Sequence, residues 1–579
     1  MAVKSLTQDL SQVPFSLRGS WLALGRTNDQ RAQALKIKPG YTLRTMRGAI
    51  THSRDIFQIS RPGDLSGAVL NETITPGKLS VTDASGNWEV LYANPDRLIL
   101  QGQGAGLCLE AATHCYATLR EAGNARWEAN LMAQRSQLML TLHEGSARIS
   151  APWRGDACKE IRFEILPNEK SFWRLEIHEF DTAWEDPGPP PADEIIEQIH
   201  CTAFDAWLSR FPATDEAFED ARSLAAYILW STLVEPRGHF KREAMLMSKN
   251  WMTNVWSWDH CFNALALVHA APGLAWDQWD LMFDFQNRFG ALPDCVNDAD
   301  IVWNFCKPPV HGWALSAMLK RGLKLDRETM IQAKNKLARW TEWWMRYRDE
   351  NSNGLPQYNH GNDSGWDNAS CFAVGMPVEG PDLATFLILQ MECIADLCRI
   401  IQDIDEARSW KIRADQLYRQ LDQLLWRNDR FVALRPDNET IAEGDSLVNF
   451  MPLLLGERLS EHQRTCLVNG LQRFITDFGL ATENPSSPFY AADGYWRGPI
   501  WAPSTLLIVD GLKRCNEPVM AEEIMHRFCQ TCAQSGMAEN FNALTGEGLR
   551  DRAYSWTSSV FLLMAGELHA SNCGFTDGS

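Results

Sequence analysis

The sequence has no long apolar run. Its first residues, "MAVKSLTQDLSQVPF", contain no apolar stretch of the length that a secretory signal needs. No later run approaches the roughly 20 apolar residues of a membrane-spanning helix. We therefore expect a cytoplasmic protein with no membrane partner.

Clustered positive charge is also missing. The formal net charge of the 579-residue chain is −18, and lysine and arginine nowhere form a cluster. Nucleic acids and anionic membrane surfaces both require such a cluster. The sequence therefore excludes these two classes of partner and favours a small-molecule ligand.

Common cofactor and nucleophile motifs are absent as well. The fifteen cysteines are scattered, and Cys529 and Cys532 form a CxxC pair without a second pair or a nearby histidine. This pattern predicts reduced, mostly buried thiols and no zinc site. The chain contains no P-loop, no dinucleotide glycine fingerprint and no GxSxG nucleophile motif.

Two regions differ in their hydrophobic periodicity. Residues 1–183 contain segments with strand-like alternation, such as "SQLMLTLHEGSARISA" and "EIRFEIL". The acidic, proline-rich "EDPGPPPADE" follows, and it predicts a linker over 184–199. Residues 200–579 show helical periodicity, so we predict a β-rich domain, a linker and a helical catalytic domain.

About a dozen helices are predicted in the second region, and loop length alternates between them. The predicted helices cover residues 216–234, 258–271, 274–288, 311–321, 327–348, 381–403, 405–426, 446–455, 460–477, 500–514, 518–534 and 555–569. Short loops join antiparallel neighbours, so strict alternation places every long loop on one face. Six such pairs describe an (α/α)6 barrel. An open solenoid is the alternative, but the sequence shows no fixed repeat.

Four long loops combine aromatic and polar residues. They contain "SKNWMTNVWSWDHCFN", "HGNDSGWDNAS", "YAADGYWRGPIW" and "GMAENFNALTGEG", and seven tryptophans lie between Trp251 and Trp313. A sugar packs its C–H faces on indole rings, while its hydroxyl groups need many donors and acceptors. The alternative is that the tryptophans only fill the barrel core, but this does not explain the neighbouring carboxylates.

Glycoside hydrolysis needs one carboxylic acid to protonate the leaving oxygen and a second carboxylate that activates water or attacks carbon. In the loop that contains "HGNDSGWDNAS" we prefer Asp367 to Asp363 as the acid, because the adjoining Trp366 provides an apolar wall that raises a carboxyl pKa. For the partner, Glu539 and Glu547 compete. Glu547 follows Gly546 in a predicted turn, where a solvated carboxylate is expected.

The motifs "WSWDHCFN", "GNDSGWDN", "YWRGPIW" and "ENFNALTGEG", in this order, resemble those of glycoside hydrolase family 63. That family includes processing α-glucosidase I and bacterial α-glucosidases, with related mannosylglycerate and glucosylglycerate hydrolases. The resemblance implies an (α/α)6 barrel preceded by a β-sandwich domain, and an inverting mechanism. It also implies that Asp367 is the general acid and Glu539 the general base.

The same resemblance implies a set of substrate-binding residues. Trp258, Asp259, Trp496 and Arg497 would line the sugar subsite, and the same motif clusters add His260, Trp366, Asn368 and Trp501. We expect an α-glucosidase that acts on a short α-glucoside, such as a disaccharide or glucosylglycerate. The alternatives are a sugar epimerase or isomerase on the same barrel, and a carbohydrate-binding protein without catalysis.

One segment raises the question of a metal. "DENSNG" places Asp349, Asn351 and Asn353 at the alternate positions of a calcium-binding loop, with Gly354 in sixth place. The twelfth position is His360, which cannot supply the usual bidentate carboxylate. We expect a plain turn and no cofactor. The alternative is a structural calcium ion with a ligand from elsewhere in the chain.

Overall fold

The computed structural model describes residues 6, 8–27, 40–48, 54–62, 71–111, 116–437 and 439–574. The chain divides into two compact units. The first contains Met1–Ser209, Ala226–Asn254 and Asn297–Asp300, and the second contains Arg210–Ala225, Val255–Val296 and Ile301–Ser579. The first unit therefore extends past the predicted linker, 184–199, and includes two later segments.

The first unit contains the β-rich region. Its strands of four or more residues are β1 (Leu22–Thr27), β2 (Gly40–Thr45), β3 (Asp55–Ser60), β4 (Asn71–Ile74), β5 (Lys78–Asp83), β6 (Gly86–Asn94), β7 (Arg97–Gly104), β8 (Cys108–Ala111), β9 (Thr118–Gly123), β10 (Arg126–Leu131), β11 (Ser136–Glu144), β12 (Ser146–Ser150), β13 (Ile161–Leu166) and β14 (Phe172–Phe180).

These strands form two antiparallel sheets. One has the order β1-β2-β3-β8-β13-β12, and the other has the order β4-β5-β6-β7-β14-β11-β10-β9. Strands β11 and β12 follow each other in sequence but belong to different sheets. The chain passes between the sheets at Gly145, whose φ is +96° and where a Cβ would lie 2.4 Å from the Leu166 carbonyl oxygen. Only glycine fits this crossing.

The helices are α1 (Asp193–Leu208), α2 (Glu219–Thr232), α3 (Asp259–Ala270), α4 (Pro272–Asp280), α5 (His311–Lys320), α6 (Arg327–Tyr347), α7 (Pro381–Ile400), α8 (Ile404–Leu425), α9 (Glu461–Leu471), α10 (Ala502–Arg514), α11 (Pro518–Ser535) and α12 (Ser555–Asn572). In the part of the chain that the structure describes, no helix has the length and apolarity that a membrane crossing requires.

Two differences from the sequence prediction have local causes. Helix α1 begins inside the predicted linker, because the proline-rich stretch ends before Asp193 and the next residues have an amphipathic pattern. The predicted helix at 446–455 is instead 3-10 helix, Leu447–Arg458. Pro452 lies inside this segment and Gly456 has a non-helical φ of +53°. Both residues interrupt regular α-helical hydrogen bonding.

The alternation of long and short loops is as predicted and matches the burial of the helices. Helices α3, α5, α7, α10 and α12 each follow a long loop, and most of their residues are buried. By contrast, α8 follows a short loop and buries one face, at the helical spacing Ala407, Trp410, Ala414, Leu417 and Leu421. The amino ends of the buried helices thus adjoin the long loops.

Candidate active site

Three carboxylates from three different long loops lie around one phenol. Asp259 is the first residue of α3, Asp367 lies between α6 and α7, and Glu539 lies between α11 and α12. Burial raises the pKa of the Tyr495 hydroxyl, and Glu539, Asp367 and Asp259 each raise it further. All three carboxyl groups therefore interact electrostatically with Tyr495.

Asp367 projects from a tight turn. The turn contains a 3-10 segment, Gly361–Ser364, which ends at Gly365 with a φ of +73°. A Cβ at Gly365 would lie 2.6 Å from the indole of Trp258, so the turn packs directly against this ring. The Asp367 side chain is 30% exposed. It is positioned by the turn and still accessible to a substrate.

Asp363, the other candidate acid, stabilises the turn. Its carboxylate accepts backbone hydrogen bonds, each 3.1 Å long, from the N–H groups of Cys306, Asn359 and His360. Its side chain is 2% exposed. These contacts give Asp363 a structural role and leave Asp367 as the accessible carboxyl group of this loop.

The electrostatic surroundings of Asp367 suit an acid. Burial raises its pKa, the Lys307 ammonium 3.9 Å away lowers it, and Asp294 raises it, with a net increase. A raised pKa favours the protonated form that a general acid needs. Sequence analysis did not identify Lys307 or Asp294, because both act through tertiary contacts with the turn.

Glu539 precedes a short hairpin, Asn540–Phe541 paired with Gly548–Leu549. Its backbone N–H donates to the Asp551 carbonyl oxygen at 2.6 Å, and the residue is 4% exposed. Burial and Asp551 raise the pKa of Glu539, Arg550 and a hydrogen bond with Tyr495 lower it, and the result is about 8. The carboxyl group is therefore mostly protonated at neutral pH in the unliganded protein.

The hairpin separates the two competing glutamates. Phe541 exchanges backbone hydrogen bonds with Ile500, 2.7 Å and 2.9 Å long, and this joins the last long loop to the loop of Tyr495. Glu547 lies at the turn of the hairpin and is exposed. The structure thus places Glu539 in contact with Tyr495 and leaves Glu547 exposed.

Five tryptophans form a buried indole cluster, which consists of Trp258, Trp366, Trp496, Trp501 and Trp556. Trp496 and Trp501 stack with ring centroids 4.0 Å apart and planes at 6°. Trp366 contacts Trp496 at 4.9 Å, and Trp258 contacts Trp556 at 5.7 Å. Each ring is at most 3% exposed. The four predicted members therefore pack mainly on one another and support the site from within.

Asn368 and Arg497 have different surroundings. Asn368 donates to the Gly494 carbonyl oxygen at 3.0 Å and accepts from the Trp496 N–H at 2.9 Å, which ties the loop of Asp367 to that of Tyr495. The Arg497 side chain is partly buried, and its Nε atom has no hydrogen-bond partner among the described residues. The described residues therefore leave one donor of this guanidinium group unpaired.

His260 is buried in the helical core. It is 1% exposed, its Nδ1 lies 2.9 Å from the Trp256 carbonyl oxygen, and its ring lies 5.1 Å from that of His311. Burial lowers its pKa to about 4, so the imidazole is neutral. Since His260 packs in the helical core, we leave this predicted substrate ligand out of the proposed site.

Three groups among the described residues have metal-ligand chemistry, and one of them, formed by Asp429, His462 and Cys466, is largely exposed. His260, Cys261 and His311 place their ligand atoms within 4.8 Å of one another in the core. In the turn at Asp349, the side-chain amides of Asn351 and Asn353 lie 3.1 Å and 2.8 Å from one oxygen of Glu379. The other Glu379 oxygen and Asp349 Oδ1 are buried without a hydrogen-bond partner among the described residues. Glu379 thus provides the carboxylate that the turn itself lacks.

Comparison with known proteins gives a consistent result. The family model described as the mannosylglycerate hydrolase MGH1-like glycoside hydrolase domain matches residues 252–557. Mannosylglycerate hydrolase of Rubrobacter radiotolerans is 23% identical over 399 residues, which cover 53% of this chain and 89% of that protein. Glucosylglycerate hydrolase of Mycolicibacterium hassiacum is 22% identical over 407 residues, which cover 53% and 91%.

Solved structures share the fold at low sequence identity. The GH63 mannosylglycerate hydrolase of Thermus thermophilus in complex with glucose has a TM-score of 0.53 at 19% identity, covering 59% of this chain and 99% of that one. A bacterial glucoamylase complexed with acarbose has a TM-score of 0.63 at 10% identity, covering 98% and 95%. The predicted (α/α)6 barrel and preceding β-sandwich-like domain are confirmed.

Proposed function

Because the chain belongs to the mannosylglycerate hydrolase MGH1-like family of glycoside hydrolases, within glycoside hydrolase family 63, we propose that it hydrolyses a short α-glycoside of glycerate with inversion. Glucosylglycerate and mannosylglycerate are the two substrates of this class. Hydrogen bonds from Asn368 and Phe541 to the loop of Tyr495 bring Asp367 and Glu539 to one place, and this is the observation that carries the proposal.

In the proposed reaction Asp367 is the general acid. It donates its proton to the glycosidic oxygen as the bond between that oxygen and the anomeric carbon breaks. Its raised pKa and its position at the tip of a rigid turn both suit this role. The glycerate leaves as an alcohol and Asp367 remains as a carboxylate.

Glu539 is the general base. In its ionised form it takes a proton from a water molecule, whose oxygen attacks the anomeric carbon from the face opposite to the leaving group. Tyr495 holds the Glu539 carboxyl group through a hydrogen bond. At the end of the cycle Glu539 returns its proton to solvent and Asp367 takes one up, so that protons balance.

An anionic aglycone is supported by Arg497. This guanidinium follows Trp496 in the loop of Tyr495, and its Nε atom has no partner among the described residues. Guanidinium groups bind carboxylates through two parallel hydrogen bonds. A glycerate carboxylate would supply a charged, bidentate partner, whereas a second neutral sugar would supply only single hydroxyl acceptors.

A substrate panel tests the proposal. Glucosylglycerate and mannosylglycerate should be hydrolysed with a higher kcat/KM than the neutral disaccharides kojibiose, nigerose and trehalose. Arg497→Gln should lower kcat/KM for the glycerate glycosides by roughly tenfold or more, the effect of losing a charged hydrogen bond. It should change the rates for neutral glucosides little. Preference for a neutral disaccharide would contradict the proposed substrate class.

A further inference from the structure

Lys307 has a buried ammonium group beside the proposed acid. The residue is 5% exposed and lies in the loop before α5. Its Nζ atom lies 3.0 Å from the Asp294 carboxylate and 3.9 Å from that of Asp367. It also donates a 2.6 Å hydrogen bond to the carbonyl oxygen of Asn362, in the turn that carries Asp367. The ammonium therefore joins the acid to a second carboxylate.

The Lys307 side chain stays charged in this environment. Burial lowers its pKa, but Asp294, Asp367 and Asp259 raise it, and the net change is upward. Asp294 is fixed through its backbone, whose N–H donates to Val302 at 2.8 Å and whose carbonyl oxygen accepts from Ser257 at 3.0 Å. A permanent positive charge is thus held between one fixed carboxylate and one reactive carboxyl group.

We propose that Lys307 is a positioning residue for the acid step, paired with Asp294 before the proton transfer and shared with Asp367 after it. The inference rests on the proposed function, since it acts through Asp367 as proton donor. Before the reaction Asp367 is neutral and the ammonium is balanced by Asp294. After Asp367 has given its proton to the leaving oxygen, the new carboxylate lies 3.9 Å from a cation that is already in place.

This arrangement stabilises the charge that appears during catalysis. A fixed cation in a site with little water costs no reorganisation when the proton moves. Asp294 has the opposite effect, because its negative charge keeps the cation from lowering the Asp367 pKa so far that the acid ionises too early. The pair therefore sets the pKa of Asp367 from two directions.

Other titratable groups also face Asp367. His360 lowers its pKa, while Asp259 and Tyr495 interact with it electrostatically. None of these residues is replaced in the Lys307 and Asp294 variants. Because Lys307 also lowers the pKa of Asp259, the variants are compared by a ratio of rates on two substrates, in which an effect common to both substrates cancels.

The test uses two substrates that differ in their need for an acid. The fluoride ion of an α-glycosyl fluoride leaves without being protonated. The glycerate of the glycerate glycoside needs a proton from Asp367 to leave. Both require Glu539. The ratio of the kcat/KM values for the glycerate glycoside and the fluoride, measured against pH, therefore falls at the pKa of Asp367. This midpoint is the quantity to compare among variants.

Lys307→Met keeps the aliphatic stem and removes the charge, so the midpoint should rise by about one pH unit or more. The rate on the glycerate glycoside should fall roughly tenfold, with the fluoride rate nearly unchanged. Asp294→Asn should move the midpoint in the opposite direction, to lower pH. Lys307→Arg, which keeps the charge, should restore most of the rate on the glycerate glycoside.

Equal losses on both substrates in Lys307→Met, or midpoints that stay in place in both variants, would overturn the inference. Circular dichroism and the melting temperature of each variant identify misfolding, and Lys307→Arg then provides the second readout. If Asp367→Asn itself loses both substrates equally, the proposed acid is wrong, which separates failure of the proposed function from failure of this inference.

Discussion

Gly365 packs so closely on Trp258 that a Cβ at Gly365 would lie 2.6 Å from the indole ring. Its φ of +73° is also in the left-handed region. Gly365→Ala should therefore destabilise the protein by about 2–4 kcal/mol, the sum of a left-handed backbone penalty and an overpacking penalty. It should also displace Asp367 and lower turnover. Chemical denaturation and kcat measure the two effects.

Gly123 provides the matched control. Its φ is +79°, but a Cβ there would have no atom within 4 Å. Gly123→Ala should cost only the backbone term of about 1–2 kcal/mol and leave turnover unchanged. Equal effects of the two substitutions would show that the contact between Gly365 and Trp258 does not position Asp367.

The sequence was sufficient to predict most of the helices of the barrel and the alternation of long and short loops between them. Periodic apolar residues such as Ala407, Trp410 and Ala414 identify a helix locally, and loop lengths follow from the helix ends. Helix α1 was missed because the prolines before Asp193 indicated a linker. Strand positions were also predictable. Their division between two sheets was not, since it depends on long-range pairing and on the crossing at Gly145.

The site was predictable only in part. Motifs identified Asp367 and Glu539, which lie in turns with distinctive composition. The sequence did not identify Lys307 as a neighbour of Asp367, because the two residues are far apart in the chain and only the fold brings them within 3.9 Å. The sequence likewise did not predict that the tryptophans bury one another. A pattern of aromatic residues does not show whether each ring faces a ligand or another ring.

The proposed roles predict different outcomes for two glutamates in one hairpin. Glu539→Gln should reduce turnover by about 10²–10⁴-fold, as expected for a lost general base. Glu547→Gln should have little effect, because Glu547 is exposed at the hairpin turn. Asp367→Asn should resemble Glu539→Gln and leave substrate binding largely intact. Steady-state kinetics measures these changes in kcat. A large loss of kcat in Glu547→Gln, without one in Glu539→Gln, would show that Glu547 is the base.

The pKa of Glu539 predicts the pH dependence. The pKa of Glu539 is about 8 in the unliganded protein. Since the pH dependence of kcat/KM reports the pKa values of groups in the free enzyme, one limb of the plot of kcat/KM against pH should have its midpoint near pH 8. Arg550 lowers this pKa. Arg550→Gln removes the positive charge, so the pKa of Glu539 should rise and the limb should move to higher pH.

Arg550→Lys is the control for this shift. The arginine lies 4.8 Å from the Tyr495 ring, so its removal also takes away a packing contact. Lysine restores the charge but not the planar guanidinium. A limb that returns toward pH 8 in Arg550→Lys identifies charge as the cause. If the limb has the same midpoint in the unmodified protein, Arg550→Gln and Arg550→Lys, it belongs to a group other than Glu539.

The turn at Asp349 gives a metal-binding prediction. Burial raises the pKa of Glu379, and Asp349 raises it further, so the ionised Glu379 carboxylate is unfavourably placed without a cation. Asp349 Oδ1 and Glu379 Oε2 are carboxylate oxygens without a hydrogen-bond partner among the described residues, and calcium is the ion that suits such oxygen ligands. Calcium at a hundredfold excess over its Kd should stabilise the protein by about 2.7 kcal/mol relative to EDTA. Thermal denaturation measures the difference.

Glu379→Gln should abolish this calcium effect. Glu350→Gln is the matched control, since Glu350 is an exposed neighbour in the same turn, and it should keep the effect. Identical melting temperatures in calcium and EDTA for the unmodified protein would support the plain turn instead. The measurement does not depend on activity, so it remains valid whatever the substrate is.

The stereochemical course tests the role of Glu539 as a base. If Glu539 activates water, the carboxyl groups of Asp367 and Glu539 must be roughly 6.5–9.5 Å apart, whereas a nucleophilic carboxylate would require about 5–5.5 Å. Asp367 lies in the long loop before α7, and Glu539 lies in the long loop before α12. In a ring of six helix pairs these two loops are on opposite sides, which favours the wider separation. An α-glycoside should then release the β-anomer of its sugar first.

Proton NMR of the anomeric region during early turnover shows which anomer forms before mutarotation mixes the two. A retaining α-glucosidase acting on a neutral α-glucoside provides the control, because it should release the α-anomer under the same conditions. Enzyme concentration must be high enough for most of the substrate to react within minutes. First appearance of the α-anomer from this protein would mean that Glu539 attacks the anomeric carbon, and the water-activated mechanism would have to be abandoned.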